Sequence, residues 1–198
     1  DRAMALLAGG GYAEEVVVDA GSAMRVPASF SWGEAATFPE VFLTVHSNVF
    51  QIAGLRAGQT VLVHGGGSGI GTATIALAKA AGARVFVTAG SSAKCARCRE
   101  LGADYKEQDF AEEVARATDG KGVEVILDSI GAAYLDANVR SLAVGGRLVL
   151  IGLMQGAKGE INLAALLTRR LSVIGSTLRA KPPAEKAAIV AGLRAQFG

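Results

Sequence analysis

Residues 60–71, TVLVHGGGSGIG, constrain this chain more than any other stretch. An apolar run, Val61, Leu62 and Val63, stops at residues with almost no side chain and passes at once into the Ala-rich stretch 72–81. That order reads as strand, tight turn, helix. Gly66, Gly67, Gly69 and Gly71 let the backbone turn sharply and approach a ligand closely. The first N–H groups of the helix point into the turn with the positive end of its dipole, an arrangement that suits a phosphate. Glycines that merely end a strand give the same local pattern, so the flanks must decide.

The flanks repeat. Strands predicted at 61–64, 84–88, 104–106, 123–128, 147–151 and 172–175 alternate with helices at 72–81, 93–101, 111–118, 134–142 and 163–170. Apolar β-branched runs alternating with helices mean an α/β fold whose parallel sheet is covered on both faces. Six such strands with the phosphate turn after the first predict the doubly wound Rossmann order 3-2-1-4-5-6, with the ligand at the carboxyl ends where the order switches. Ahead of this region the pattern predicts a hairpin in which DRAMALL returns as YAEEVVV, then a loop at 25–31. A short helix at 32–37 ends at Pro39, which opens a second helix over 40–53. A last helix covers 185–197. Both ends look cut, as in a fragment of a larger subunit.

Charge says little. Twenty basic and eighteen acidic residues, net +2, are scattered, so neither a nucleic-acid nor a membrane partner is implied. No apolar run is long enough to cross a bilayer and no secretory pattern opens the chain, which reads as cytoplasmic.

GGGSGIG invites three enzyme readings. A short-chain dehydrogenase needs Tyr-x-x-x-Lys, but Tyr12, Tyr105 and Tyr134 are followed four places on by Val16, Asp109 and Asn138. A lipase-like hydrolase needs a G-x-S-x-G elbow and a late histidine, and the histidines are His46 and His64. A medium-chain dehydrogenase, whose nucleotide lobe begins well inside the chain, fits the order found. Cys95 and Cys98 form a lone CxxC without further ligands, so no metal site is expected. They read either as free thiols on a helix or as a redox pair whose pKa Lys94, Arg97 and Arg99 would lower. An NAD-selective lobe ends its second strand with an acid that binds the ribose 2′-OH. Here that strand ends VTAGSSAK, with no carboxylate, a hydroxyl on Ser91 and a positive charge on Lys94. NADPH is therefore expected over NADH, unless Lys94 is one more solvated helix lysine.

MALLAGGGYAEEVVV, AATFPEVFLTV, VLVHGGGSGIGTATIALAKAAGA, VTAGSSAKCARCRELGAD, VILDSIG and GGRLVLIGLM occur in this order over essentially the whole chain. Together they resemble the zinc-free, NADPH-dependent quinone oxidoreductases of the medium-chain dehydrogenase/reductase superfamily, near the zeta-crystallin branch. The resemblance implies a remnant of a GroES-like lobe at 1–31, a Rossmann lobe at 32–181, and a helix at 182–198 returning toward the first lobe. It implies NADPH in a cleft, with a quinone or an activated alkene stacked on the nicotinamide, and a homodimer formed through the edge of the sixth strand. Position by position, Gly66, Ser68, Gly69, Ile70 and Gly71 would cradle the pyrophosphate. Ser91, Lys94 and Tyr105 would meet the 2′-phosphate. Thr44 and Asn48 would face the nicotinamide, or else be polar caps of an amphipathic helix. Asp128, Ile130 and Gly131 would close the fourth strand and Gly152, Leu153 and Met154 the fifth, the last two being core residues on the other reading. His46 stands where relatives often carry an aromatic beside the substrate cleft. No side-chain acid or base is expected, because rings held face to face need mainly positioning. A double-bond reductase and a non-catalytic NADPH-binding protein are the alternatives.

Overall fold

The computed structural model describes residues 1–101, 104–105 and 109–198, with only the backbone of Asp104 and Tyr105. The chain divides into two compact units, Asp1–Ser47 with Thr177–Gly198, and Asn48–Ser176.

In the first unit, strand β1 (Ala3–Ala5) pairs antiparallel with β2 (Ala23–Arg25). The hairpin therefore does not return through YAEEVVV as its β-branched alternation suggested. Tyr12 and Val17 are fully exposed, whereas Met24 and Val26 are buried. Burial against a neighbour, not strand propensity, selects the pairing. Helix α1 (Trp32–Val45) starts at a capping box: Ser31 Oγ accepts from the Glu34 N–H at 3.2 Å, and the Glu34 carboxylate accepts from the Ser31 N–H at 2.8 Å. The helix then runs straight through Pro39, against the sequence expectation of a break. Proline removes one helical hydrogen bond, but its ring is buried here and its helix is already fixed by the cap, so burial offsets the loss. The chain continues as a π-helical stretch, His46–Ile52.

The second unit is built from β3 (Thr60–His64), α2 (Gly69–Ala80), β4 (Arg84–Thr88), α3 (Ser92–Glu100), β5 (Asp104–Tyr105), α4 (Phe110–Ala117), β6 (Val123–Asp128), α5 (Leu135–Ser141), β7 (Leu142–Leu150), α6 (Leu163–Arg169) and β8 (Ser172–Gly175). The strands form one six-stranded parallel sheet in the order β5-β4-β3-β6-β7-β8, the Rossmann order 3-2-1-4-5-6 that the alternation implied. Leu62, Phe86, Val123, Ile126, Leu142 and Leu148 form a buried cluster on it. Each such side chain contributes about 1.5 to 3 kcal/mol by leaving water.

Element ends shift by a residue or a few, and the largest shift is at β7. Strand β7 begins at Leu142, which had been placed in the preceding helix: Leu142 pairs with Val123, and the ladder then slips before Arg147 meets Val125. The glycine at 145, at φ +75, makes that slip possible while Leu142 stays fully buried. The expected strand 104–106 is observed at Asp104 and Tyr105, and Lys106 lies outside the described residues. Among the described residues no helix is long and apolar enough to cross a membrane.

Candidate functional site

The carboxyl ends of β3, β4, β6 and β7 meet around the glycine-rich turn. At that turn the Gly66 N–H donates to Thr88 O at 2.8 Å, which draws the backbone against β4. A Cβ on Gly66 would stand 2.6 Å from Val87 Cβ, and one on Gly71 would overlap Gly65 O and Gly66 Cα. Both glycines are thus fixed by close packing. Ser68 caps α2, its Oγ accepting from the Gly71 N–H at 3.1 Å. Gly69 and Ile70 follow in the first turn of α2, where helix N–H groups have no intrahelical acceptor and suit an anion.

Ser91 caps α3 and accepts from the Lys94 N–H at 3.3 Å. Lys94 runs along the turn: its Cβ, Cγ and Cδ lie 3.3 Å from where a Gly67 Cβ would be. The stem of Lys94 thus lies along the anion-binding turn, and the residues that follow β4, Ala89, Gly90 and Ser91, include no carboxylate. Tyr105 lies opposite Val87 in the sheet, and its side chain is outside the described residues. The cysteines settle differently from the redox reading. Cys95 and Cys98 are both buried, Cys95 donates to Ser91 O at 2.6 Å, and burial, with Cys95 adding to it, pushes the Cys98 thiol up rather than down. Nearby cations do not activate a thiol that water cannot reach.

At the other half of the site, Asp128 is wholly enclosed. Its Oδ1 accepts from the Ile130 N–H at 2.5 Å, and its Oδ2 from the Gly131 N–H at 3.2 Å and from Asn138 Nδ2 at 3.1 Å. The carboxylate is turned inward and shapes a loop. Gly131 sits at φ +87, and a Cβ there would stand 2.6 Å from Gly156 O, so only glycine fits. The loops after β6 and β7 are paired by backbone bonds: Ile151 N to Asp128 O at 2.8 Å, Met154 N to Ser129 O at 3.1 Å, Gln155 N to Ile130 O at 2.7 Å and Ala132 N to Gly156 O at 3.0 Å. That pairing leaves the side chains of Leu153 and Met154 54% and 76% exposed, which sets aside a core role for them, and packs Gly152 against Ser129.

Sequence reasoning missed what lies beneath. His64, at the end of β3, is 2% exposed; its Nε2 is 2.7 Å from Asn138 Oδ1 and its Nδ1 3.0 Å from Thr88 Oγ1. Phe110 and Tyr134 meet its ring edge-on at 4.9 and 4.8 Å. Burial lowers its pKa, and the Asn138 bond and the Asp128 charge only partly oppose this. His46 is buried within the first unit, its Nε2 3.2 Å from Gln196 Oε1 and its ring edge-on to Phe197, and burial lowers its pKa as well. It is an interior residue of that unit. Burial disfavours the charged form of both histidines, so the unfolded chain binds more protons near and below the ordinary value of 6.5 and stability should fall as pH drops through it. Urea midpoints at about pH 7.5 and about 5.5 check this; an unchanged midpoint refutes it. Of the remaining expected residues, Thr44 donates to Glu40 O at 2.6 Å within α1, in the first unit, and Asn48 is buried in the π-helical stretch. Among the described residues, no three His, Cys, Asp or Glu side chains are grouped as a metal ion requires.

With this geometry in view, residues 69–191 match the family of zinc-binding dehydrogenases. The chain is 38% identical over 158 residues to the phenolphthiocerol synthesis polyketide synthase type I Pks15/1 of Mycobacterium bovis, covering 77% of this chain and 7% of the synthase. Among solved structures it is similar to an NAD-dependent alcohol dehydrogenase, with 38% identity, TM-score 0.81, and coverage of 93% of this chain and 54% of that one. It is also similar to the CurK enoyl reductase, with 29% identity, TM-score 0.76, and coverage of 89% and 55%. The chain thus spans a small part of the synthase and about half of each solved structure.

Proposed function

This chain belongs to the zinc-binding dehydrogenase family of the medium-chain dehydrogenase/reductase superfamily, and on that premise we propose that it binds NADPH and reduces a small conjugated carbonyl compound, a quinone or an activated alkene. The observation that carries the cofactor choice is Lys94 laid along Gly67 beside a strand end without a carboxylate. The name of the alcohol dehydrogenase neighbour points to NAD, so the choice rests on these residues. Gly66, Ser68, Gly69, Ile70 and Gly71 would hold the pyrophosphate through backbone N–H groups, and Ser91 and Lys94 the 2′-phosphate. When bound, NADPH would supply a hydride, one hydrogen nucleus with its pair of electrons, to an electron-poor carbon. The chain's part is to orient and to exclude water. The paired loops after β6 and β7 offer backbone groups, and Leu153 and Met154 offer an apolar rim for a flat partner. Asp128 is enclosed and its oxygens are committed to the Ile130 and Gly131 N–H groups, so it is turned away from a substrate. A compound whose own conjugated oxygen takes up the charge suits such a site. The quinone reading rests on the motif resemblance; the double-bond reading on the likeness to the CurK enoyl reductase. The metal in the family's name does not fit the described residues, and no step is assigned to one.

NADPH oxidation by the full-length protein, measured with ortho- and para-quinones and with enones, tests the proposal. Turnover on quinones alone or on enones alone selects the substrate. Binding without turnover overturns the enzyme reading and leaves a nucleotide-binding module, and no binding overturns the whole.

Among the described residues β8 is the last strand of the sheet, and Leu163 and Leu167, on the helix leading into it, are exposed. We expect a two-fold dimer in which two copies pair through this edge. A monomer by light scattering at micromolar concentration refutes it.

A further inference from the structure

We propose that Asn138 is a positioning residue that couples the two halves of the nucleotide site through His64 and Thr88. This extends the NADPH reading by assigning a role to residues that touch no part of the proposed ligand.

The directions of the hydrogen bonds follow from chemistry. An ionised Asp128 can only accept, so the Asn138 amide must turn its NH₂ to Oδ2, 3.1 Å away. Its carbonyl oxygen then faces His64 Nε2 at 2.7 Å, and Nε2 must carry the ring proton. Nδ1 is left as an acceptor, and the Thr88 hydroxyl donates to it at 3.0 Å. The oxygen of that hydroxyl accepts from the Gly65 N–H at 3.4 Å, while the Thr88 carbonyl accepts from Gly66 at 2.8 Å. One ordered chain of donors therefore runs from the backbone of the glycine-rich turn, through Thr88, His64 and Asn138, to the carboxylate that holds Ile130 and Gly131. Reversing any one member reverses or breaks its neighbours, which is what lets a change at one turn be felt at the other. Around His64, β4 contributes Thr88, β6 the single charge Asp128, α4 Phe110, α5 Asn138, and the turn before α5 Tyr134. No other carboxylate among these contacts could set its tautomer.

The test uses Thr88→Val, which removes only the hydroxyl, and Asn138→Asp, which turns an acceptor toward Asp128 and places a carboxylate on His64. Amide spectra of the ligand-free full-length protein come first. Thr88→Val must move the Ile130 and Gly131 amides, and Asn138→Asp must move those of Gly65 and Gly66; changes confined to each variant's own turn overturn the coupling. Nitrogen shifts of His64 must show the Nε2–H form in the native protein and a doubly protonated ring in Asn138→Asp. NADPH titration follows. Each variant is expected to bind about five- to thirtyfold more weakly, and the double variant no worse than Asn138→Asp alone. Losses that multiply mean two independent local roles and overturn the proposal. If the native protein fails to bind NADPH, the functional reading falls, while the amide spectra still decide the coupling.

Discussion

Gly71→Ala is expected to abolish NADPH binding and to destabilise the second unit by about 3 kcal/mol, the upper end of what overpacking costs. Helix propensity alone predicts the opposite sign, since alanine inside a helix is favoured over glycine by about 1 kcal/mol. The steric term decides. A Cβ at position 71 would overlap Gly65 O and Gly66 Cα, which are backbone atoms pinned by the Ser68 N–H to Gly65 O bond and the Gly66 N–H to Thr88 O bond. Neither can move without opening the turn. Gly67→Ala is the control. The atoms nearest its Cβ would be those of the flexible Lys94 stem at 3.3 Å, so stability should hold while the lysine is displaced. Urea unfolding of both variants beside NADPH titration gives the comparison; an equal shift in the two midpoints would show that the packing around position 71 is not what limits the turn.

Lys94→Ala should weaken NADPH about ten- to a hundredfold and leave NADH nearly untouched, because one charge-assisted contact to the 2′-phosphate is lost and nothing else changes. The side chain is exposed, so the melting temperature should stay in place. Lys94→Arg should retain most of the preference. Equal losses for both cofactors, or none, would mean that the phosphate is held elsewhere, with Tyr105 the next residue to substitute.

How far the sequence foretold the structure depends on the range of the interaction. The strands at 84–88 and 123–128 were legible to the residue, because a buried parallel strand is a short apolar run bounded by turn residues. The turn at 66–71 was legible because glycine there answers a local steric demand. Leu142 was not: its membership of β7 depends on a slip in the ladder opposite Val123, which leaves no periodic mark. The return strand failed for a related reason. YAEEVVV has the better strand composition, but AMR has Met24, which can be buried. Pro39 misled because its penalty is local and its compensation, burial of the ring, is not. His64 and Asn138 are 74 residues apart in sequence, so no spacing rule could join them. The one available hint was a histidine closing an otherwise apolar strand, VLVH, where a polar group must find partners.

The pairing of the loops after β6 and β7 separates what is constant at this rim from what can vary. Its hydrogen bonds use main-chain atoms only, running between residues 128–130 and 151–155 and back from Ala132 to Gly156. The side chains at 153 and 154 stand clear of them, so they can change in size or polarity while the rail that carries them keeps its register. On the proposed reading, in which these two side chains rim the substrate, preference is expected to shift by substitution at two codons without reopening the fold. For the same reason a small library at Leu153 and Met154 is where a search for altered substrate preference should start, and amide exchange at Met154 and Gln155, slow despite their place in a loop, would report that the rail had survived each change.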